Sequence, residues 1–316
     1  MVSTPPATRP GWNELPAAVR MAVEEHARSQ VIGVDYPSGG FTPGIAARLR
    51  LADGGRVFIK GVPAEDRTAG MYRAEAAVGP HLPSGVAPAL LWTVETGGWL
   101  VLGFEDVDGT TPEIAPGSAG LGAVLATVGE LGGLLTPCPA GQTGPFSVLA
   151  GTLAGCWERL AEGGLDGWDQ EHAPELVALD DPAALVRATE GDTLLHCDLR
   201  ADNMLLSDGR VRVIDWSWFA RGAAWVDAAF FLPQLMLAGH AAASAEHLLA
   251  EQVPAWREAP EDGVLAFAAA ITGYWAWQQR TGPGGALGAY RGRAAAAGRE
   301  WIAHRTGWNT PVPVTL

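Results

Sequence analysis

The chain has 316 residues, 48% hydrophobic and 18% charged, with a formal charge of −14 from 21 basic and 35 acidic residues. That length suits one large domain or two lobes with a proper core. The acidic balance, without any basic run, argues against nucleic acid or an anionic membrane as partner.

The start, "MVSTPPATRPGWNELP", lacks the apolar stretch of a signal peptide, and the longest apolar run, "AAFFLPQLMLAG", is too short to span a bilayer. Cys138, Cys156 and Cys197 have no metal-ligand spacing and read as reduced thiols, so a cytoplasmic chain is expected.

In chain order, "NELPAAVRMAVEEHAR" (13–28) predicts a helix capped by Asn13, with Leu15, Val19, Ala22 and Val23 along one face. A Gly-rich turn, "SGGFTPG", is followed by an alternating strand over 45–51, a tight "ADGG" turn and a second strand over 56–60. Residues 68–79 read as a helix carrying Glu75. "PALLWTVETGGWLVLGFEDV" gives two more strands joined by a Gly-Gly hairpin, and the loop-rich stretch after it marks a lobe boundary near 104–109. From 118 to 190 the pattern is mostly helical. "LLHCDLRADNMLLSDGRVRVIDW" (194–216) then reads as a short strand, a polar turn, a hairpin and a strand ending in acid. Residues 224–310 return to helix, broken at "TGPGG". The pattern predicts an α+β fold: a strand-rich first lobe over 1–104 with an antiparallel sheet, and a helix-rich second lobe over 105–316.

Two features point to chemistry. His196, Asp198, Asn203 and Asp215 crowd two short strands, where polar groups are costly unless paired or chemically employed. Lys60 is the single lysine among the 21 basic residues. A chain that uses Arg wherever positive charge suffices has kept one compact ammonium, which is a different tool from a planar guanidinium. Arg48 and Arg56 on the neighbouring strands read as ordinary surface charges, so that Arg→Lys at either is expected to be nearly silent.

Taken in order, "SGGFTPG", Lys60, Glu75, His196-Cys197-Asp198, Asn203 and Asp215 resemble the protein-kinase-like superfamily, and specifically the aminoglycoside phosphotransferase family of small-molecule kinases. "HCDLRADN" is similar to that family's H-x-D-x-x-x-x-N loop and "VIDW" to its metal-binding acid. The resemblance implies a bilobal protein-kinase-like fold and transfer of the γ-phosphate of ATP or GTP to a hydroxyl of a small molecule, an aminoglycoside or other antibiotic among the candidates. It places Asp198 as the carboxylate that orients or deprotonates the acceptor, and Arg200 on the transferring phosphoryl group or simply on the surface. Asn203 and Asp215 would hold Mg2+, and Lys60, held by Glu75, would reach the α- and β-phosphates.

Ser38, Gly39, Gly40 and Thr42 of the Gly-rich turn would approach the phosphates. Phe104, Glu105 and Val107 would form a hinge whose backbone reads the adenine edge, over an apolar floor of Leu205 and Ile214. His196 and Asp227 are expected to be structural, Asp227 capping the catalytic-loop backbone. Cys197 departs from the family's usual glycine and reads as packing. Twelve steps of chain from Asp215 to Asp227 are too few for an activation loop, so no protein substrate is expected. Removing Asp215 is expected to relieve acid–acid repulsion and leave the nucleotide-free protein no less stable.

The acceptor stays open. Residues 158–192 carry ten acids against Arg159 and Arg187, either a patch for a polycation or a solvated face. Tyr274, Trp275 and Trp277 offer an aromatic wall or core packing. A metabolic kinase of the choline, sugar or homoserine type, and a nucleotide-binding pseudokinase without turnover, are the alternative readings.

Overall fold

The structure, a computed structural model, describes residues 9–37 and 44–311. Its elements in chain order begin with α1 (Ala17–Ala27), β1 (Val31–Asp35), β2 (Ile45–Leu51), β3 (Arg56–Pro63), α2 (Ala69–Val78), β4 (Leu90–Thr96) and β5 (Trp99–Glu105). The helices α3 (Leu121–Leu134), α4 (Ser147–Leu153), α5 (Cys156–Glu162), α6 (Gly167–Glu171), α7 (Ala173–Leu179) and α8 (Pro182–Ala188) follow. Then come β6 (Thr193–Leu195), β7 (Met204–Ser207), β8 (Arg210–Val213) and β9 (Ala220–Gly222). The chain closes with α9 (Val226–Leu237), α10 (Ala242–Gln252), α11 (Pro254–Arg257), α12 (Glu261–Thr281) and α13 (Gly285–Thr306). Two compact units result: Met1–Thr110 with Asn203–Trp218, and Thr111–Asp202 with Phe219–Leu316.

In the first unit the sheet order is β1-β2-β3-β5-β4, antiparallel throughout. Alternation explains β2 and β3: Ile45, Ala47, Leu49 and Leu51 face inward with Val57 and Ile59, against Leu15, Val19 and Val23 at α1. The opposite face packs Val62, Leu100, Leu102 and Phe104 against Ala69 and Tyr72 of α2. Gly97 and Gly98, at φ +57° and +75°, make the β4–β5 turn that the Gly-Gly pair predicts.

Two local expectations fail for physical reasons. The first helix starts at Ala17, not beside Asn13: Trp12–Glu14 form a 3-10 turn and Pro16 stands at the helix N-cap in extended conformation. Strand β1 was not foreseen, because "VIGVD" lacks clean alternation; it is an edge strand with a bulge between Val31 and Gly33.

The second unit is helical around a two-stranded β6–β9 ladder of three residue pairs; β6 is the short strand expected at the start of 194–216, and its partner β9 is too short to show in the pattern. Helices α12 and α13 approach closely because Gly298 lies against Thr272; a Cβ there would overlap the Thr272 hydroxyl. Among the described residues no helix is long and apolar enough to cross a membrane.

The acidic run thins on inspection. Asp169 is locked to Arg299 by two 2.6 Å bonds. Asp180 is 3% exposed and accepts from the Trp157 N–H at 3.0 Å. Burial pushes its carboxyl from 3.8 up to about 6, against the opposing pull of backbone N–H groups from Trp157, Gly155 and Cys156. A folded-state value above the unfolded one means that the ionised form costs stability. That cost is absent below pH 3.8, grows through the window up to about 6, and is complete above it. Asp180→Asn is therefore expected to raise the Tm at pH 7.5 and to flatten its rise towards pH 5. An unchanged Tm–pH slope in the variant would assign the dependence to another group.

Candidate active site

The first unit gathers a cation between two acids. Lys60 lies on β3, opposite Ala46 of β2 and Leu102 of β5. Its Nζ donates to Glu75 Oε2 at 2.7 Å and to Asp215 Oδ1 at 2.9 Å. Glu75 belongs to the buried face of α2 with Tyr72, whose ring centroid is 5.8 Å from the ammonium. Burial pulls the Lys60 pKa down, but the two carboxylates outweigh it and hold the ammonium charged, above the usual lysine value.

Asp215 adopts φ +65°, a conformation that costs a non-glycine residue energy, and also accepts from Ser217 Oγ at 2.6 Å. Asn203 ends a 3-10 turn; its carbonyl accepts from the Ile214 N–H at 2.9 Å, and Met204 pairs with Val213 as the first rung of β7–β8. The ladder thus brings Asn203 and Asp215 to the same end of one hairpin. Both carry the hard oxygen donors that Mg2+ prefers, so the residues fit that ion. Among the described residues no group of three or more His, Cys, Asp or Glu is placed to hold a metal.

Lys60→Arg is expected to cut kcat/KM for nucleotide by about a hundredfold, the scale of a 1 Å misplacement. A planar fork cannot occupy the point defined by Glu75 Oε2, Asp215 Oδ1 and the Tyr72 ring. Arg210→Lys, at an exposed position, is the matched control. Equal kcat/KM in wild type and Lys60→Arg would make the lone lysine an accident of composition.

The segment after β5 is firmly held. Phe104 packs in the core beside Tyr72. Glu105 donates its N–H to the Ala89 carbonyl at 2.9 Å, and its carboxylate, bonded by Arg212 at 2.5 Å, is held below the usual range by that bond. Arg48 donates to the Val107 carbonyl at 2.8 Å, and Arg48 and Arg56 approach the Asp106 carboxylate at 3.2 and 3.0 Å. Arg48, partly buried, is not the surface charge that the sequence suggests; Arg56 does lie at the surface, but both pair with a carboxylate that is only 2% exposed. Leu205 and Ile214 are half-buried on and beside the β7–β8 hairpin. Lys60, Glu75, Phe104, Glu105, Val107, Asn203, Leu205, Ile214 and Asp215 all belong to this unit. Ser38, Gly39, Gly40 and Thr42 lie outside the described residues.

Asp198 and Arg200 belong to the second unit. Asp227, in the first turn of α9, accepts from the N–H groups of His196 at 2.8 Å and Cys197 at 2.9 Å, the cap expected of it. Burial raises its own pKa even so. Buried His196 accepts the Asp198 N–H on Nδ1 at 3.2 Å, which fixes the loop from within. The Cys197 thiol is pushed well above its ordinary pKa by burial, and its φ of +62° shows why a glycine suits this position.

Arg200 forks onto Asp202 at 2.9 and 2.8 Å, stands 3.8 Å from Asp198 Oδ1, and lies 5.6 Å over the Tyr290 ring. The Tyr290 hydroxyl in turn accepts from Gln234 at 2.9 Å. Asp202, Gln234 and Tyr290 escaped the sequence reading; the last two come from α9 and α13, with no local signal. Trp275 is core, and Tyr274 and Trp277 are half-buried.

The profile of the phosphotransferase enzyme family matches residues 45–283. No curated protein sequence matches the chain. Among solved structures it is similar to choline kinase LicA from Streptococcus pneumoniae, at TM-score 0.59 and 14% identity over 89% of this chain and 98% of that one. Aminoglycoside phosphotransferase APH(3'')-Id from Streptomyces rimosus, in complex with ADP and streptomycin, matches at TM-score 0.52 and 19% identity over 80% and 98%. Amicoumacin kinase hAmiN, in complex with AMP-PNP, Ca2+ and Ami, matches at 0.54 and 13% over 92% and 95%. At such identities the likeness shows the fold, which is the α+β, protein-kinase-like one.

Proposed function

Since the chain belongs to the phosphotransferase enzyme family, matched over residues 45–283 of its 316, we propose that it is a small-molecule kinase moving the γ-phosphoryl group of a nucleoside triphosphate onto a hydroxyl. The observation that carries this reading is the Glu75–Lys60–Asp215 array, a charged ammonium on a strand flanked by two carboxylates. Lys60 binds the α- and β-phosphates and Glu75 keeps it in place. Asp198 takes the proton of the acceptor hydroxyl as its oxygen bonds to phosphorus and the bond to the nucleoside diphosphate breaks. Asn203 and Asp215 would hold Mg2+, which would neutralise phosphate charge when bound. Arg200, oriented by Asp202 and Tyr290, contributes a fixed positive charge beside Asp198.

For the acceptor, the ten acids of 158–192 less Asp169 and Asp180 leave eight exposed carboxylates, which favours a cationic alcohol such as an aminoglycoside or choline. The decisive experiment measures consumption of ATP and GTP against a panel of aminoglycosides, choline, macrolides, sugars and homoserine. Consumption dependent on one acceptor class supports the kinase. Nucleotide binding without consumption for any acceptor points to a pseudokinase, and no nucleotide binding at all refutes both.

A further inference from the structure

The structure fixes one residue of the hinge segment in a way that bears on which base it reads. The Val107 carbonyl accepts from Arg48 Nη2 at 2.8 Å and from the Gly109 N–H at 3.0 Å. A carbonyl oxygen has two lone pairs, and both are now engaged. The Val107 N–H, by contrast, meets no acceptor among the described residues, although the residue is only 8% exposed. An unmet donor in so enclosed a place calls for an outside acceptor.

Arg48 cannot swing away cheaply. Its Nε pairs with Asp106 at 3.2 Å, and Arg56 pairs with the same carboxylate at 3.0 Å; removing a partner would leave a nearly buried charge exposed to its own desolvation cost. The far side of the segment is tied as well, by Arg212 on Glu105, by Ser207 Oγ on the Asp108 carbonyl at 2.8 Å, and by the Thr110–Leu206 bridge. Turning the Val107–Asp108 peptide to free that carbonyl would break the Arg48 and Gly109 bonds together.

Adenine N1 is an acceptor, and guanine N1 carries a proton. Facing the Val107 N–H, adenine makes a hydrogen bond, whereas guanine opposes donor to donor and finds the carbonyl of the same residue already filled. We propose that the Arg48–Asp106–Arg56 clamp makes this chain a reader of adenine over guanine nucleotides, with Arg48 as a specificity-determining positioning residue. The proposal rests on the kinase reading of the same site, in which this segment meets the base.

The test is equilibrium binding of ADP and GDP to the full chain, which needs no acceptor and no turnover. Wild type is expected to bind ADP about ten- to hundredfold more tightly than GDP, the cost of one opposed and unpaired group. Arg48→Met, which frees the carbonyl, is expected to narrow that ratio several-fold, while Arg48→Lys keeps part of it. Equal affinities in wild type overturn the proposal whether or not any variant folds. A folded Arg48→Met with the wild-type ratio removes Arg48 from it. Failure of both nucleotides to bind would instead sink the kinase reading on which it rests.

Discussion

Asp198→Asn is expected to lower kcat by on the order of 10²–10⁴ while nucleotide affinity stays near wild type. The substitution keeps volume and one acceptor oxygen, and the loop around it is held by other groups. Asp227 takes the N–H groups of His196 and Cys197, and His196 Nδ1 takes the N–H of residue 198 itself. What disappears is the oxygen able to accept the proton of the acceptor hydroxyl. The groups assigned to the nucleotide, from Lys60 to Asp215, all lie in the other unit, so ADP affinity has no reason to follow kcat. Steady-state kinetics with the acceptor found by the panel, alongside ADP titration, separate the outcomes. Retained kcat would make Asp198 a structural residue. A matching collapse of nucleotide affinity would make it a metal ligand.

What the sequence reveals here depends on the range of the interaction. The alternation of "IAARLRL" and "RVFIK", the Gly-Gly turn and the acids around the β7–β8 hairpin are local, and local pattern suffices to read them. Lys60 and Glu75 are 15 residues apart and announce themselves by residue type, one being the chain's single lysine. Arg48 and the Val107 carbonyl are 59 residues apart, and Lys60 and Asp215 are 155 apart. Nothing in a chain rich in arginine marks Arg48 and Arg56 as the two that enclose a buried acid, and so they pass for ordinary surface charges. The same blindness turns the acids of 158–192 into a uniform patch, although Asp180 is buried and Asp169 is paired. Cys197 is the converse case: its departure from glycine is visible in sequence, but only the φ of +62° says what the departure costs.

Asp215→Ala reverses sign between the two levels of description. Clustered acids suggest repulsion, and relief of repulsion would stabilise the nucleotide-free protein. The structure instead pairs Asp215 with Lys60 at 2.9 Å and with Ser217 at 2.6 Å. With its side chain 40% exposed, the ion pair is screened and is worth at most about 1 kcal/mol. The backbone adds to the loss, because φ +65° is tolerated better by Asp than by Ala. Lys60 keeps Glu75 at 2.7 Å, so the fold survives and the destabilisation stays at about 1–2 kcal/mol, read as a lowered denaturation midpoint without nucleotide. The functional effect is expected to be far larger. If Asp215 is one of the two proposed metal ligands, ADP affinity should lose most of its dependence on added Mg2+, and turnover should fall by on the order of 10³ or more. Titration of ADP with and without Mg2+ checks the first point independently of any acceptor. Undiminished metal dependence would move the ion elsewhere, whereas a gain in nucleotide-free stability would show that repulsion, and not the Lys60 pair, dominates at this acid.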